Sequence, residues 1–132
     1  MIRAVLADTG PLYAANDERD VHHNRALREL EALSGDRRDV LIPYSILLET
    51  YSLLLFKLGT SAALAWLAEV ADASFVNLTA EDYARGFIAV RTLADQRISL
   101  VDATTAALAS RMGLEVWTYD HHFDVMRVPV WR

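Results

Sequence analysis

The apolar residues of this chain alternate between short continuous runs and longer helical stripes. The first run covers residues 4–7 and is followed by Asp8 and then by Gly10 and Pro11. A continuous apolar run of this length is typical of a central parallel strand that is buried on both faces. The glycine and the proline predict a turn into a helix. We therefore expect Asp8 to lie at the carboxyl edge of a parallel sheet, where open α/β folds bind their ligands.

The rest of the pattern repeats this order of strand and helix. Further strands are predicted at residues 39–43, 74–78 and 115–118, with an edge strand at 128–131. Helices are predicted at residues 11–16, 21–34, 44–58, 60–70, 79–93, 99–112 and 119–126. This alternation predicts an α/β fold, a three-layer α/β/α sandwich with a mostly parallel central sheet, in which residues 1–132 form a single domain.

Polar residues at the helix starts indicate how the helices are capped. Asp20 is expected to cap the helix at residues 21–34, and Thr60 the helix at 60–70. Thr79 and Asp82 have the spacing of a capping box, in which each side chain bonds the backbone N–H of the other residue.

Composition narrows the class of protein. The 132 residues are 53% hydrophobic, include no cysteine and carry a formal net charge of −5. The negative net charge argues against binding nucleic acid through a broad basic surface, although a divalent metal ion bound by the acids would make the local charge positive. The absence of cysteine excludes disulfides and thiolate metal sites. The apolar runs are too short for a membrane span or a signal peptide, so we expect a cytoplasmic protein.

One acid lies in an unusually apolar helix. The segment at residues 44–58 is almost entirely hydrophobic around Glu49, and we expect this helix to be buried on most sides. A buried carboxylate without a partner is costly, so Glu49 needs a nearby cation or donor. An arginine and a metal ion are both consistent with the sequence.

Three further acids fall at predicted chain reversals. Asp8 and Asp120 follow strands, and Asp102 opens a helix three residues after Ser99. Each has a structural explanation when taken alone: a helix cap for Asp8 and Asp102, and a turn for Asp120. Together with Glu49 they are expected to meet at the carboxyl edge of the sheet. Converging carboxylates repel one another unless hard divalent cations lie between them, and an all-oxygen ligand set indicates Mg²⁺ or Mn²⁺.

The chain resembles the PIN domain, and more closely the VapC toxins of toxin–antitoxin systems. The resemblance covers essentially the whole chain and rests on four motifs, which are Asp8-Thr9-Gly10-Pro11-Leu12, Leu47-Leu48-Glu49-Thr50, Leu100-Val101-Asp102-Ala103 and Thr118-Tyr119-Asp120-His121-His122-Phe123.

The resemblance implies a catalytic metal site and an RNA substrate. The catalytic metal-binding carboxylates would be Asp8, Glu49, Asp102 and Asp120. Thr118 would supply a supporting hydroxyl, and Asp124 would lie outside the direct metal ligands. The activity implied is Mg²⁺- or Mn²⁺-dependent endoribonuclease hydrolysis that leaves a 3′-hydroxyl and a 5′-phosphate. A cognate antitoxin would cover the site, and the apolar residues between 44 and 67 would line its groove or a homodimer interface. Leu54 is expected to be a surface leucine of this groove.

Two other functions compete with the toxin. A PIN-like domain acts in RNA processing or, without catalysis, as a binding module. An aspartyl-phosphate phosphotransfer enzyme also has an aspartate after its first strand, but such enzymes pair it with a second aspartate two residues later or with a lysine after a late strand. Here that position is Gly10, and Lys57 lies in a predicted helix.

Two pairs of adjacent histidines are candidates for metal or proton chemistry. His22 and His23 precede one predicted helix, and His121 and His122 follow Asp120. Neighbouring residues on a helix point in different directions, so we expect the members of each pair to diverge and to be exposed polar residues.

Overall fold

A parallel sheet forms the middle layer of the computed structural model, which describes residues 3–132. Within this range the sheet has four strands, β1 (Ala4–Ala7), β2 (Asp39–Pro43), β3 (Ser74–Val76) and β4 (Glu115–Trp117), in the order β3-β2-β1-β4. The central strand β1 pairs in parallel with β2 and β4, and all four of its residues are buried. The predicted central parallel strand is therefore confirmed.

Helices occupy most of the remaining chain. In chain order they are α1 (Thr9–Asn16), α2 (His23–Gly35), α3 (Tyr44–Leu58), α4 (Thr60–Glu69), α5 (Ala80–Thr92), α6 (Leu100–Met112) and α7 (His122–Val125), with a short 3₁₀ helix at Ala94–Gln96. No helix within residues 3–132 is both long enough and apolar enough to cross a membrane.

The alternation of side chains along β1 separates two hydrophobic cores. Val5 and Ala7 face one core, which α1 to α4 cover, while Ala4 and Leu6 face the other, which α6 and α7 cover. Helices therefore lie on both faces of the sheet, and the predicted α/β/α sandwich is confirmed.

Helices α5 and α6 approach each other closely at Gly86. A Cβ atom at this position would lie 2.6 Å from Thr104 Cγ2, and the backbone of Thr104 is also within 3.2 Å of that point. Nearby, Arg111 of α6 makes two hydrogen bonds of 2.9 and 3.0 Å to the fully buried Asp82 of α5. Asp82 also completes the predicted capping box with Thr79.

The expected burial of the helix at residues 44–58 is wrong, although its bounds are those predicted. One face of α3 packs on the core, but Leu48 is 67% exposed and Phe56 88% exposed. Leu54, expected at the surface, is fully buried. Periodicity predicts a helix, but the burial of an apolar residue depends on whether another element packs against it.

Some predicted ends differ from the structure. Helix α2 begins at His23 rather than next to Asp20, whose carboxylate accepts a hydrogen bond from the backbone N–H of His22. Thr60 is the first residue of α4 and does not cap it. Residues 128–131 form a single bridge between Val130 and Val116 instead of an edge strand, because a proline at position 129 cannot donate a ladder hydrogen bond.

Candidate active site

The four predicted acids line one cleft at the carboxyl edge of the sheet. Asp8 follows β1, Asp120 lies three residues beyond β4, Asp102 lies in the first turn of α6, and Glu49 lies in the second turn of α3. The cleft has a volume of about 460 Å³, and its lining is completed by Thr9, Gly10, Ser99, Tyr119 and His121. The topology therefore brings together residues that are more than 100 positions apart in the sequence.

Asp8 is the most deeply buried of these acids. Only 4% of its surface is exposed. Its Oδ2 accepts a hydrogen bond of 2.7 Å from Thr118 Oγ1, whereas its buried Oδ1 has no hydrogen-bond partner within residues 3–132. A buried carboxylate oxygen without a partner is costly in free energy, and a cation is the partner that such an oxygen favours most strongly.

Thr118 connects two of the acids. While its hydroxyl donates to Asp8, the same oxygen accepts a hydrogen bond of 3.0 Å from the backbone N–H of Asp120. The Asp120 carboxylate in turn accepts the backbone N–H of His122 through Oδ1, at 2.9 Å. These hydrogen bonds fix the loop after β4 and orient Asp120 with respect to Asp8.

Asp102 directs its carboxylate towards Asp120 rather than back along its own helix. Ser99 Oγ accepts the backbone N–H of Asp102 at 3.1 Å, but Asp102 does not complete a capping box in return. Burial raises the pKa of Asp102 to about 8, with further contributions from the charge of Asp8 and from a hydrogen bond with Asp120. The contact with Asp102 and the hydrogen bond from the backbone N–H of His122 lower the pKa of Asp120 against the effect of burial.

Asp8 is also harder to ionise than an ordinary aspartate. Burial raises its pKa to about 6, and the negative charges of Glu49 and Asp120 act in the same direction, while the hydrogen bond from Thr118 opposes the shift. Two acids of one cleft thus hold protons at pH values where isolated aspartates are ionised. A divalent cation would relieve the repulsion that causes part of this effect.

Glu49 is half-buried and has a hydroxyl partner instead of an arginine. Thr9 Oγ1 donates a hydrogen bond of 2.5 Å to Glu49 Oε1, and no lysine or arginine within residues 3–132 forms an ion pair with this carboxylate. Thr9 was not among the predicted site residues. Its position directly after Asp8 was the signal in the sequence that could have identified it.

A second set of residues missed by the sequence analysis supports the cleft from α2. Glu29 accepts hydrogen bonds from the Tyr119 hydroxyl and, at 3.1 Å, from Trp117 Nε1. The Arg25 guanidinium lies 4.3 Å from the centre of the Tyr119 ring. Tyr119 is thereby held at the wall of the cleft, and no local sequence pattern links it to Glu29, 90 residues away.

Asp124 lies apart from the four acids. Its carboxylate is exposed and forms two hydrogen bonds, of 2.8 and 2.9 Å, with Arg132 Nη2. It lines a neighbouring pocket with Arg25 and Arg132, and it does not line the acidic cleft.

The expectation that adjacent histidines diverge is wrong for the second pair. The rings of His121 and His122 are 4.3 Å apart between centroids, and both Nδ1 atoms face Asp120 Oδ1, at 3.7 and 3.1 Å. The first pair does separate, since His22 lies against the Tyr119 ring and His23 Nδ1 contacts the Ala14 carbonyl oxygen. Each pair follows an aspartate that accepts the backbone N–H of a histidine, Asp20 for His22 and Asp120 for His122, so this hydrogen bond does not explain the difference.

The donor set of the cleft fits a hard divalent cation. Four carboxylates converge, one buried oxygen has no partner in the described part of the chain, and two pKa values are raised by burial and mutual repulsion. Oxygen-only ligation of this kind suits Mg²⁺ or Mn²⁺ better than softer ions.

Comparisons with known proteins agree with this architecture. A family model described as PIN domain matches residues 5–129. The structure of Mycobacterium tuberculosis VapC20, described as a sarcin-ricin loop cleaving toxin, is similar with a TM-score of 0.84 and 22% identity, over 98% of this chain and 99% of that chain. A search of curated proteins found no match.

Two further solved structures share the fold. FitAcB from Neisseria gonorrhoeae has a TM-score of 0.71 and 19% identity, over 97% of this chain and 96% of that one. VapBC2 from Rickettsia felis, bound to a DNA fragment from its promoter, has a TM-score of 0.73 and 15% identity, over 100% and 98%. At these identities the similarity shows the fold, whereas the family model spans nearly the whole sequence and includes all four acids. The chain therefore belongs to the PIN-domain family.

Proposed function

We propose that this protein is a divalent-metal-dependent endoribonuclease that hydrolyses RNA phosphodiester bonds and serves as the toxin of a toxin–antitoxin pair. The observation that carries the proposal is the convergence of four acids around the unpartnered Oδ1 of the buried Asp8, at the carboxyl edge of a PIN fold. The structural similarity to VapC20, which is described as a sarcin-ricin loop cleaving toxin, supports the same assignment.

The chain's own residues each have a distinct part in this activity. Asp8, Glu49, Asp102 and Asp120 would hold Mg²⁺ or Mn²⁺, which when bound lowers the pKa of water and neutralises charge on the phosphate. Thr118 orients Asp8, and Thr9 orients Glu49. Burial and the charge of Asp8 raise the pKa of Asp102 to about 8, and a bound cation would favour the ionised carboxylate that serves as a ligand. Hydrolysis of this kind does not require a serine or cysteine nucleophile.

The proposal is tested by RNA cleavage with purified protein. The substrate is a fluorescent RNA that contains the sarcin-ricin loop, because VapC20 is described as cleaving that loop. Cleavage is expected with Mg²⁺ or Mn²⁺, and is expected to be lost in EDTA and in the Asp8→Asn and Asp102→Asn variants. Asp124→Asn is the matched control, since this acid is paired with Arg132 outside the cleft, and it should retain activity.

Each outcome has a defined meaning once circular dichroism shows that the variants are folded. Activity that survives in both cleft variants would contradict the four-acid site. Absence of cleavage together with absence of Mn²⁺ binding would contradict the nuclease and favour a non-catalytic binding module.

The proposal includes an antitoxin as partner. The apolar face shared by α3 and α4 exposes Leu48, Phe56 and Leu64, and Leu48 is the direct neighbour of Glu49. An apolar segment bound there would lie beside the cleft and would limit its access to RNA. We assign this face to the antitoxin, and we retain the prediction that the protein alone is a homodimer.

A further inference from the structure

The histidine pair next to Asp120 has the geometry of a separate metal site. His121 Nδ1 lies 3.7 Å and His122 Nδ1 3.1 Å from Asp120 Oδ1. One ligand atom from each of the three residues falls within 4.8 Å of the others. Two ligand atoms that bind the same tetrahedral ion are roughly 3.4 Å apart, so both measured separations are close to what coordination requires.

The arrangement of the three residues is built by the start of α7. The backbone N–H of His122 donates to Asp120 Oδ1 at 2.9 Å, and the Nδ1 atoms of both rings face the same carboxylate oxygen. His122 is half-buried, while His121 is exposed and lines the cleft. The site is therefore partly preformed, and one of its ligands reaches solvent, from which an ion can enter.

The ligand chemistry differs from that of the four acids. Two imidazole nitrogens and one carboxylate oxygen favour a borderline transition-metal ion such as Zn²⁺ or Co²⁺, whereas Mg²⁺ prefers oxygen ligands and keeps its water. Three protein ligands also leave a coordination position for water, as in open zinc sites.

We propose that His121, His122 and Asp120 form a second metal site of this protein, which binds a transition-metal ion of the Zn²⁺ class. The site adjoins the acidic cleft through Asp120, which contributes to both. Its two imidazole ligands belong to it alone, so variants of His121 and His122 report on this site and not on Asp8, Glu49 or Asp102.

The proposal is tested by binding of Co²⁺ and Zn²⁺ to protein that carries no histidine tag. Excess Mg²⁺ is present to limit binding of the added ions at Asp8, Glu49 and Asp102, which are not ligands of the proposed site. Co²⁺ is followed by its visible absorption, and Zn²⁺ by calorimetry. The wild-type protein is expected to bind one ion per chain. In His121→Gln/His122→Gln the affinity should fall at least about tenfold, since even residues that only orient metal ligands contribute that much.

The first histidine pair provides the matched control. His22→Gln/His23→Gln removes the same number of imidazoles from a place where His22 lies against Tyr119 and His23 contacts a backbone carbonyl, and it should bind as the wild type does. Asp8→Asn should also retain Co²⁺ binding, because Asp8 belongs only to the acidic set. Because His121 is exposed, the single variant His121→Gln should fold normally. A loss of Co²⁺ affinity in this variant therefore cannot be attributed to misfolding.

Three results would overturn the proposal. They are no Co²⁺ binding by the wild type under excess Mg²⁺, equal affinity in the His121→Gln/His122→Gln variant, and loss of the Co²⁺ site in Asp8→Asn. The RNA-cleavage assay with Mg²⁺ is a separate measurement, so a failure of the nuclease is distinguishable from a failure of this site.

Discussion

At the scale of single residues, the cleft concentrates negative charge on groups that are partly removed from water. Asp8 has one oxygen bonded to Thr118 and one without a partner among residues 3–132, and burial raises the pKa of Asp102 to about 8. These features are unfavourable for folding and favourable for binding a cation, since the groups that repel one another without an ion are its ligands. Stability and metal affinity should therefore respond to the same residues in opposite directions.

The raised pKa values predict how stability depends on pH in EDTA. Both aspartates ionise near pH 4 in the unfolded chain, and at about 6 (Asp8) and about 8 (Asp102) in the folded protein. Between these values the folded state holds protons that the unfolded state has released, so the free energy of unfolding should fall as the pH rises from about 4 to 8. Asp8 alone accounts for up to about 3 kcal/mol of this decrease.

Urea unfolding in EDTA at pH 5, 6.5 and 8.5 measures this dependence. Asp102→Asn keeps a group that can donate to Asp120 and cannot ionise, so the decrease above pH 6 should become smaller in this variant. An unchanged decrease in Asp102→Asn would show that Asp102 does not hold the proton.

Replacement of Thr118 by valine should weaken metal binding. The variant keeps the side-chain shape but removes the hydroxyl that connects Asp8 with the backbone of Asp120. We expect Mn²⁺ affinity, measured by calorimetry, to fall about 10- to 100-fold. Stability should fall by about 1–3 kcal/mol, because the buried partners of the hydroxyl lose a hydrogen bond.

Thr105→Val is the control for this change. Thr105 is fully buried, and its hydroxyl has no hydrogen-bond partner within residues 3–132. Its replacement should leave both stability and Mn²⁺ affinity unchanged or slightly improved. Equal losses in the two variants would contradict a specific role for Thr118.

At the scale of elements, the sequence pattern predicts most helices and strands, but it does not predict which face of each element packs against another element. The bounds of α3 and the position of Asp8 after β1 follow from local rules, namely proline and glycine punctuation and apolar periodicity. The burial of Leu54, the exposure of Phe56 and the bond from Thr9 to Glu49 depend on how α1, α3 and α4 pack together. Such facts require long-range contacts that a single sequence does not display.

The effect of replacing Gly86 also cannot be predicted from the sequence alone. Alanine would favour the helix locally but would clash with the neighbouring helix. Alanine is the better helix former by about 1 kcal/mol, yet its Cβ would lie 2.6 Å from Thr104 Cγ2. Overpacking costs about 1–3 kcal/mol, so Gly86→Ala should destabilise the protein in urea unfolding.

Gly35→Ala is the matched control, because nothing lies within 4 Å of the added Cβ at the end of α2. It should be neutral or slightly stabilising. Thr104→Ser removes the methyl group nearest to the new Cβ and should partly rescue Gly86→Ala. A stabilising effect of Gly86→Ala would mean that α5 and α6 move apart at low cost.

The ion pair between Arg111 and Asp82 should be essential for the packing of α5 on α6. Arg111→Met leaves the fully buried Asp82 carboxylate without its charged partner, and we expect a loss of about 3–5 kcal/mol in free energy of unfolding. Arg85→Met is the control, since Arg85 pairs with Glu81 at the surface and such pairs contribute about 0–1 kcal/mol. Similar losses in the two variants would contradict the distinction between buried and exposed pairs.

At the scale of the whole molecule, the acidic cleft and the apolar face meet on α3. Glu49 of this helix lines the cleft, and its neighbour Leu48 belongs to the exposed apolar face. One helix therefore carries both the proposed chemistry and the proposed binding surface for the antitoxin.

Phe56→Asp tests this division of surfaces. The substitution places a charge on a side chain that is 88% exposed, so folding should be unaffected, while affinity for the antitoxin should fall at least about tenfold. Phe87→Asp makes the same change on α5, away from α3 and α4, and should leave that affinity unchanged. An equal loss of antitoxin affinity in both variants would contradict the assignment of the α3–α4 face. Light scattering of the protein alone measures its mass and thereby tests the predicted homodimer.

The pairing of β1 with β4 also determines when the site can form during protein synthesis. Strand β1 is made first, but one of its two edges stays open until residues 115–117 have left the ribosome, and Thr118 and Asp120 follow only then. A nascent chain that ends just before Thr118 has Asp8, Glu49 and Asp102 but no hydroxyl to fix Asp8. The four-acid cleft is therefore absent from every nascent chain that has not yet released β4 and the loop after it.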